Sequence, residues 1–190
     1  MNGMSEPTVA SRSGSSELYD GGTVPQAGGL IYKNHLAMIG LMDVPSRPGV
    51  GGQFFTAVAQ AGIRVELIVN VSNRAPSEWR APLEDRQLRD HIVLCVDRRQ
   101  LDQVLEIARK VQEQVGGEAL VHDPDVALVS IFSTDPDEIP AIAAHMFRAL
   151  GDRGINIHGI STSVSTITCL LEGRDLEAAV ATLRKAFILP

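Results

Sequence analysis

The stretch Asp43-Val44-Pro45-Ser46-Arg47-Pro48-Gly49-Val50-Gly51-Gly52 joins an apolar run to a stretch of helical period. Its residue types suit anion binding. The first N–H groups of a helix lack intrahelical partners and carry the positive end of its dipole. Glycine beside them lets a ligand approach the backbone closely. No Gly-Lys-Ser/Thr follows, and no complete Gly-x-Gly-x-x-Gly is present, so neither phosphate-binding signature is met. A carboxylate therefore fits better than a triphosphate. The same glycines equally suit a tight strand-to-helix turn without a ligand, and the residues alone leave both readings open.

Other chemistry finds less support. His35, His91, His122, His145 and His158 form no i,i+4 pair and have no carboxylate at ligand spacing, which argues against a metal site. Cys95 and Cys169 fall inside strand-like runs, where a thiol behaves as a small buried apolar group. Ser161-Thr162-Ser163 offers hydroxyls without a nucleophile elbow around them. Asp135, Asp137 and Glu138, ahead of Pro140, read as a solvated cluster favouring a helix dipole. Trp79, between Arg74 and Arg80, reads as a packing anchor in a long loop.

The elements that position these residues follow from periodicity. Residues 1–29 are rich in Ser, Gly and Pro with no apolar period, which predicts a disordered tail. Leu36–Val44 has strand length and is broken by the prolines that follow. Val50, Phe54, Val58 and Ala61 recur at helical spacing up to Gly62. Ile63–Val71 and His91–Val96 read as strands. Asp97 is a candidate N-cap for a helix with the stripe Leu101, Val104, Leu105, Ala108, Val111 and Val115, ended by Gly116-Gly117. Ala119–Val121 supplies a short strand, completing a βαββαβ order.

The pattern then repeats. A shift of 92 lays Pro48–Asn70 on Pro140–Thr162, pairing Gly62-Ile63 with Gly154-Ile155; a shift of 75 lays Ile92–Lys110 on Ile167–Lys185. The 17-residue difference is an insertion in the first copy, within Asn73–Asp90. Two copies suggest tandem small α/β units and no solenoid. The second copy lacks a closing strand, whereas Leu30-Ile31-Tyr32 is a spare apolar triplet upstream of the first. Placing that triplet in the vacant position makes the first unit an insertion in the second and protects an open edge.

Composition bounds the partners. The 190 residues carry a net charge of −6, which provides no basic footprint for nucleic acid. No apolar run reaches the roughly 18 residues that cross a bilayer, and no secretion leader is evident. The expectation is a cytoplasmic protein without cofactor.

Val44-Pro45-Ser46-Arg47-Pro48-Gly49, Phe54-Phe55 and Gly62-Ile63-Arg64-Val65-Glu66-Leu67-Ile68 resemble the first ACT domain of aspartate kinase, which typically reads V-P-D-x-P-G, I-F and G-I-N-V-D-M-I. Met146–Leu150 and Gly154-Ile155-Asn156-Ile157-His158-Gly159-Ile160-Ser161-Thr162-Ser163 resemble its second. The resemblance runs from about Leu30 to the C-terminus. It implies an α+β architecture of two ferredoxin-like βαββαβ ACT domains paired side by side, one at 36–123, the other at 30–33 plus 125–190. It also implies a regulatory protein that binds a small amino acid, threonine ahead of lysine. The ligand set carried over is Ser46, Gly49, Val50, Gly51, Glu66, Asn156, Ile157 and Ser161, with no catalytic residue. Ser46 stands where the family has an aspartate, and Arg64 where the second copy has Asn156. Further expectations are a homodimer, no activity of its own since only the tail precedes the first strand, and an aspartate kinase catalytic subunit as a partner. A dimerisation module without ligand is the other reading.

Overall fold

The computed structural model describes residues 24–72 and 88–190. Strand β1 (Gly29–Pro45) leads into helix α1 (Val50–Gln60), β2 (Val65–Ser72) and β3 (Arg89–Asp97). Helix α2 (Leu101–Val115), β4 (Ala119–Phe132) and α3 (Ile139–Gly151) follow, then β5 (Gly159–Thr162), β6 (Thr166–Glu172) and α4 (Leu176–Ala186). The strands form one antiparallel sheet in the order β2-β3-β1-β4-β6-β5.

The long strands β1 and β4 each serve both halves. Leu30–Lys33 of β1 lie opposite Ile131–Leu128 of β4, while Gly40–Met42 lie opposite Val121–Ala119. The spare triplet and the first expected strand are thus one continuous strand, as are the short strand at Ala119–Val121 and the strand that opens the second copy. Continuity arises because nothing between them breaks the ladder completely. Instead the register slips twice. One extra residue enters β1 between Lys33 and Leu36, where His35 takes φ 55°, and one enters β4 between Val126 and Asp123, at Pro124. Proline cannot donate to a ladder, and bulges of this kind sharpen the local twist.

The twist produces three apolar clusters. Val50, Phe54 and Val58 of α1 and the α2 stripe pack on Ile39, Leu41, Ile92, Leu94 and Val96. Ile142, Met146 and Leu150 of α3, with Ala179 and Leu183 of α4, pack on Val129, Ile131, Ile167 and Leu171. Leu36, Leu67, Cys95, Val126, Leu128 and Leu170 form the third cluster, where the two halves meet. The edge strands β2 and β5 come within 8 Å, Cα to Cα, so the sheet curls back on itself. Both repeat shifts hold in the cores: Val50, Phe54, Val58 and Ile63 are buried, as are Ile142, Met146, Leu150 and Ile155.

Two expectations need correction. The disordered tail was placed at 1–29, yet its last residues belong to the fold. Ala27 is 2% exposed, its N–H donates to Ile188 O at 2.9 Å, and Gln26 forms a parallel bridge with Ile188. Gly28 N–H donates to Phe132 O at 2.8 Å. The compositional signal failed because backbone pairing at a sheet margin requires no apolar period. The strand expected at His91 opens at Arg89, which shortens the insertion. Residues 1–23 and most of the insertion, including Trp79, lie outside the described residues.

Both cysteines are buried, and burial pushes each thiol up to about 12. At pH 8 only about one thiol in ten thousand would then be the reactive thiolate. Iodoacetamide at that pH should leave Cys95 and Cys169 unmodified in the native chain and label both in denaturant, read by intact mass. Removing residues 1–29 should lower the melting temperature, since it removes Ala27 and its bonds to Ile188, and removing 1–33 should lower it further. Phe54→Ala should cost about 3–5 kcal/mol in urea unfolding, because the wholly buried ring leaves a cavity between α1 and the sheet.

Candidate functional site

The loop between β1 and α1 is anchored at its base and open at its tip. A third bulge puts Asp43 at φ 50°, and its N–H donates to His91 Nδ1 at 3.1 Å. Arg89 Nη1 donates to the carbonyls of Asp43 (3.0 Å) and Gly116 (3.1 Å), which ties the ends of β1 and α2 together. Ser46 N–H donates to Leu88 O at 2.8 Å, and Arg47 N–H to Pro45 O at 2.9 Å. Gly49 occupies the N-cap of α1 at φ 96°, a left-handed conformation that favours glycine. No side chain caps the helix, and its first turn holds no acidic residue. A Cβ built on Gly51 or Gly52 would meet nothing within 4 Å. The first-turn amides of α1 are therefore not crowded by protein.

The corresponding loop of the second copy is closed. Ser133 is buried, accepts from Asp135 N–H at 3.1 Å and donates to Asp135 O at 2.9 Å. Asp135 Oδ1 accepts from Asp137 N–H at 2.9 Å, Asp137 and Glu138 occupy a 3-10 turn, and Pro140 sits in the first turn of α3. Carboxylates and a missing donor at this helix start work against a second anion.

The expected ligand residues separate into two groups. Ser46, Gly49 and Gly51 share the open loop. Val50 shares it only through its backbone, because its side chain lies in the core with Phe54. Glu66 sits elsewhere, at a β2 bulge between Val65 and Leu67. Its side chain is 15% exposed and ion-paired to Lys33 and to Arg64 Nε, the latter at 3.1 Å. Lys33 lies in the part of β1 that pairs with the second half of β4, so Glu66 clamps the two halves. A cleft of about 580 Å³ beside it is lined by Lys33, Arg64, Glu66, Asp97, Arg99 and Gln100. Bidentate pairing with Arg99 holds the Asp97 carboxyl well below the usual carboxylate range.

Asn156, Ile157 and Ser161 lie near this cleft's end of the molecule and away from the loop. Asn156 is exposed, Ile157 packs against the core of the second half, and Ser161 stands opposite Thr168, which shares a hydroxyl contact of 2.8 Å with Ser130. Next to Asn156 and Ile157, His158 N–H donates to Leu170 O at 2.9 Å. Leu170 lies opposite Leu128, and Leu128 opposite Lys33. From Leu36 to Pro45 the strand runs nine residues, about 30 Å. Within one chain the two groups therefore sit on different halves of the sheet.

Two polar residues near the loop were missed. Counting back from the core residues Leu94 and Ile92 puts Asp90 on the helix-facing side of β3, opposite Val44 and Ser72. Asp90 Oδ1 is buried with no hydrogen-bond partner among the described residues. Asn70 is exposed at the β2 position opposite Ile92, and nearby Ile68 is 50% exposed, so α1 leaves this margin uncovered. The signal available in the sequence was a charged residue in phase with an inward-facing strand pattern. Among the described residues no three His, Cys, Asp or Glu are placed to hold a metal, and no helix is long and apolar enough to cross a membrane.

Comparison with known proteins adds to this geometry. Residues 129–187 match the ACT domain family model. The aspartokinase of Thermus thermophilus is 32% identical over 154 residues, which is 80% of this chain and 35% of that protein. The chain thus spans about a third of the length of such curated relatives. The crystal structure of the regulatory subunit of aspartate kinase from Thermus thermophilus superposes with a TM-score of 0.71 at 29% identity, covering 85% of this chain and 99% of that one. One chain of the crystal structure of aspartokinase alpha and beta subunits superposes with a TM-score of 0.70 at 29% identity, covering 84% and 97%. What is shared is the non-catalytic portion, and the interleaved sheet reproduces it almost end to end. Residues 129–187 carry an ACT domain, and the chain is similar over most of its length to the regulatory regions of the aspartate kinases.

Proposed function

We propose that the chain senses a small amino acid, threonine ahead of lysine, and transmits its binding to an aspartate kinase catalytic partner in the cytoplasm. The observation that carries this reading is the asymmetry of the two loops. Neither α1 nor α3 has a side-chain cap, but the loop at Ser46–Gly52 enters α1 directly, while its counterpart at 133–140 folds into a 3-10 turn whose Asp137 N–H is taken by Asp135 Oδ1, with Pro140 removing a donor from the first turn of α3. Uncrowded amides at a helix start take a carboxylate, so each chain offers one such place. Threonine is preferred because Glu66, the acid that could hold a second ammonium, is already engaged by Lys33 and Arg64.

In this proposal the chain works as two ACT units, 36–123 and 30–33 plus 125–190. Asn156, Ile157 and Ser161 complete the site from a second copy, because within one chain they sit in the second half, beside the Leu170–Leu128–Lys33 row, and not at the loop. A homodimer follows from that separation. The match to nearly the whole of one chain in the aspartokinase alpha and beta structure favours the subunit reading over a dimerisation module without ligand.

Calorimetry against the twenty amino acids tests the reading. Threonine should bind, with lysine weaker, and silence across the panel at millimolar concentration overturns it. Gly51→Val should abolish the ligand-induced rise in melting temperature, which amounts to about 2.7 kcal/mol at 100 times the dissociation constant. Its ligand-free stability should change little, since a Cβ there meets only open space. Light scattering at micromolar concentration should give twice the chain mass; a monomer that still binds threonine removes the shared site.

A further inference from the structure

Asp90 is a half-buried charged residue at an inward-facing position, one of whose carboxylate oxygens has no partner among the described residues. In the regular β3 ladder, Asp90 follows the same phase as Ile92, Leu94 and Val96, which pack under α1 and α2. It pairs with Val44, one residue before the Pro45 that opens the loop. Its Oδ1 is buried and, among the described residues, has no hydrogen-bond partner. Among the described residues, two basic neighbours make contacts at the base of the loop. Arg89 donates to the carbonyls of Asp43 and Gly116 and pairs with Glu118 at 3.3 Å, and His91 Nδ1 accepts from Asp43 N–H.

An ionised carboxylate only accepts hydrogen bonds, and one withdrawn from water without a donor is costly. A site of this kind is relieved by a cationic donor arriving with a ligand. We infer that Asp90 accepts a hydrogen bond from the α-ammonium of the amino acid whose carboxylate lies on the amides of Gly49–Gly51. This rests on the amino-acid-binding reading above and adds the residue that sets its ligand class. Both anchors lie at the same end of the first half, β3 opening at Arg89 opposite Pro45 where the loop begins. That suits a ligand whose two charges sit on one carbon. The site selects free α-amino acids against N-acylated ones, and Asp90 is the specificity-determining residue.

The test is calorimetric titration of the full chain and of Asp90→Asn and Asp90→Ser with threonine, with lysine, and with N-acetylthreonine. Two variants are used so that misfolding of one leaves the other to report. Wild-type chain should prefer threonine to N-acetylthreonine by about tenfold or more, and each variant should lose about tenfold or more of its threonine affinity. The gap between threonine and its N-acetyl form should narrow in both variants. Ligand-free melting temperatures should stay level or rise, since the unpartnered carboxylate is gone. Unchanged threonine affinity in the variants, or equal wild-type affinity for N-acetylthreonine, overturns the assignment and leaves amino-acid binding standing. Failure of the wild-type chain to bind threonine or lysine overturns the binding reading and this assignment together.

Discussion

The antiparallel pairing of β1 with β4 is the constraint on which the remaining structure depends. Both strands are long enough to cross from one half to the other, so each half borrows its central ladder from the same two segments. Had the strands stayed flat, the faces away from the helices would have remained exposed. The extra residues at His35 and Pro124 turn the ladder where the halves meet, and the turn brings Leu67 and Cys95 against Leu128 and Leu170. Burial of that third cluster rewards the bend. The same strands carry pairing partners in both halves, so neither can leave without opening the other's sheet.

On this shared frame the two copies kept their cores and diverged in their loops. Core positions keep their apolar character while the side chains differ in size, as where Phe54 is matched by Met146 and Val58 by Leu150 in equally buried places. Loops carry no such packing limit. One copy has Gly49, Gly51 and Gly52 at its helix start; the other has Ala141, Ala143 and Ala144 at the matching positions and satisfies its preceding turn internally through Asp135. Glu66, at the bulge of β2, serves cohesion between the halves through Lys33. Arg89 serves the loop, holding its base to the end of α2 and the start of β4 through Gly116 and Glu118. The open loop is thus tied by short contacts to the strands that both halves share.

Much of this was legible in the residues. Helical spacing placed α1 and the α2 stripe, and the shifts of 92 and 75 laid Val50, Phe54, Val58, Ile63, Ile92, Leu94, Val96, Val104 and Ala108 on positions that are buried in the second copy. The vacant strand position and the spare triplet at Leu30–Tyr32 follow from counting elements in the two copies. These features rest on local periodicity and on repetition, both written along the chain. The tail failed as a reading because Ala27 is buried by Ile188 and Phe132, which are distant in sequence, and its composition carries no trace of them.

The site divides in the same way. The sequence alone determined that a glycine-rich, proline-broken turn opens α1, because φ preferences and helix-start chemistry are properties of the residues themselves. Its motifs at matched spacing also carry the resemblance to the aspartate kinase regulatory regions. Only the tertiary structure decided that Glu66 is spent on Lys33 and Arg64, and that Asn156 and Ile157 lie in the second half of the sheet while the Gly49 loop lies in the first. It likewise decided that Asp90, half-buried opposite Val44, has an Oδ1 without a hydrogen-bond partner among the described residues. Each depends on register and twist between strands far apart in the chain. A one-residue slip in β1 or β2 redirects every side chain beyond it, and such slips are settled by packing against the third cluster rather than by any local preference.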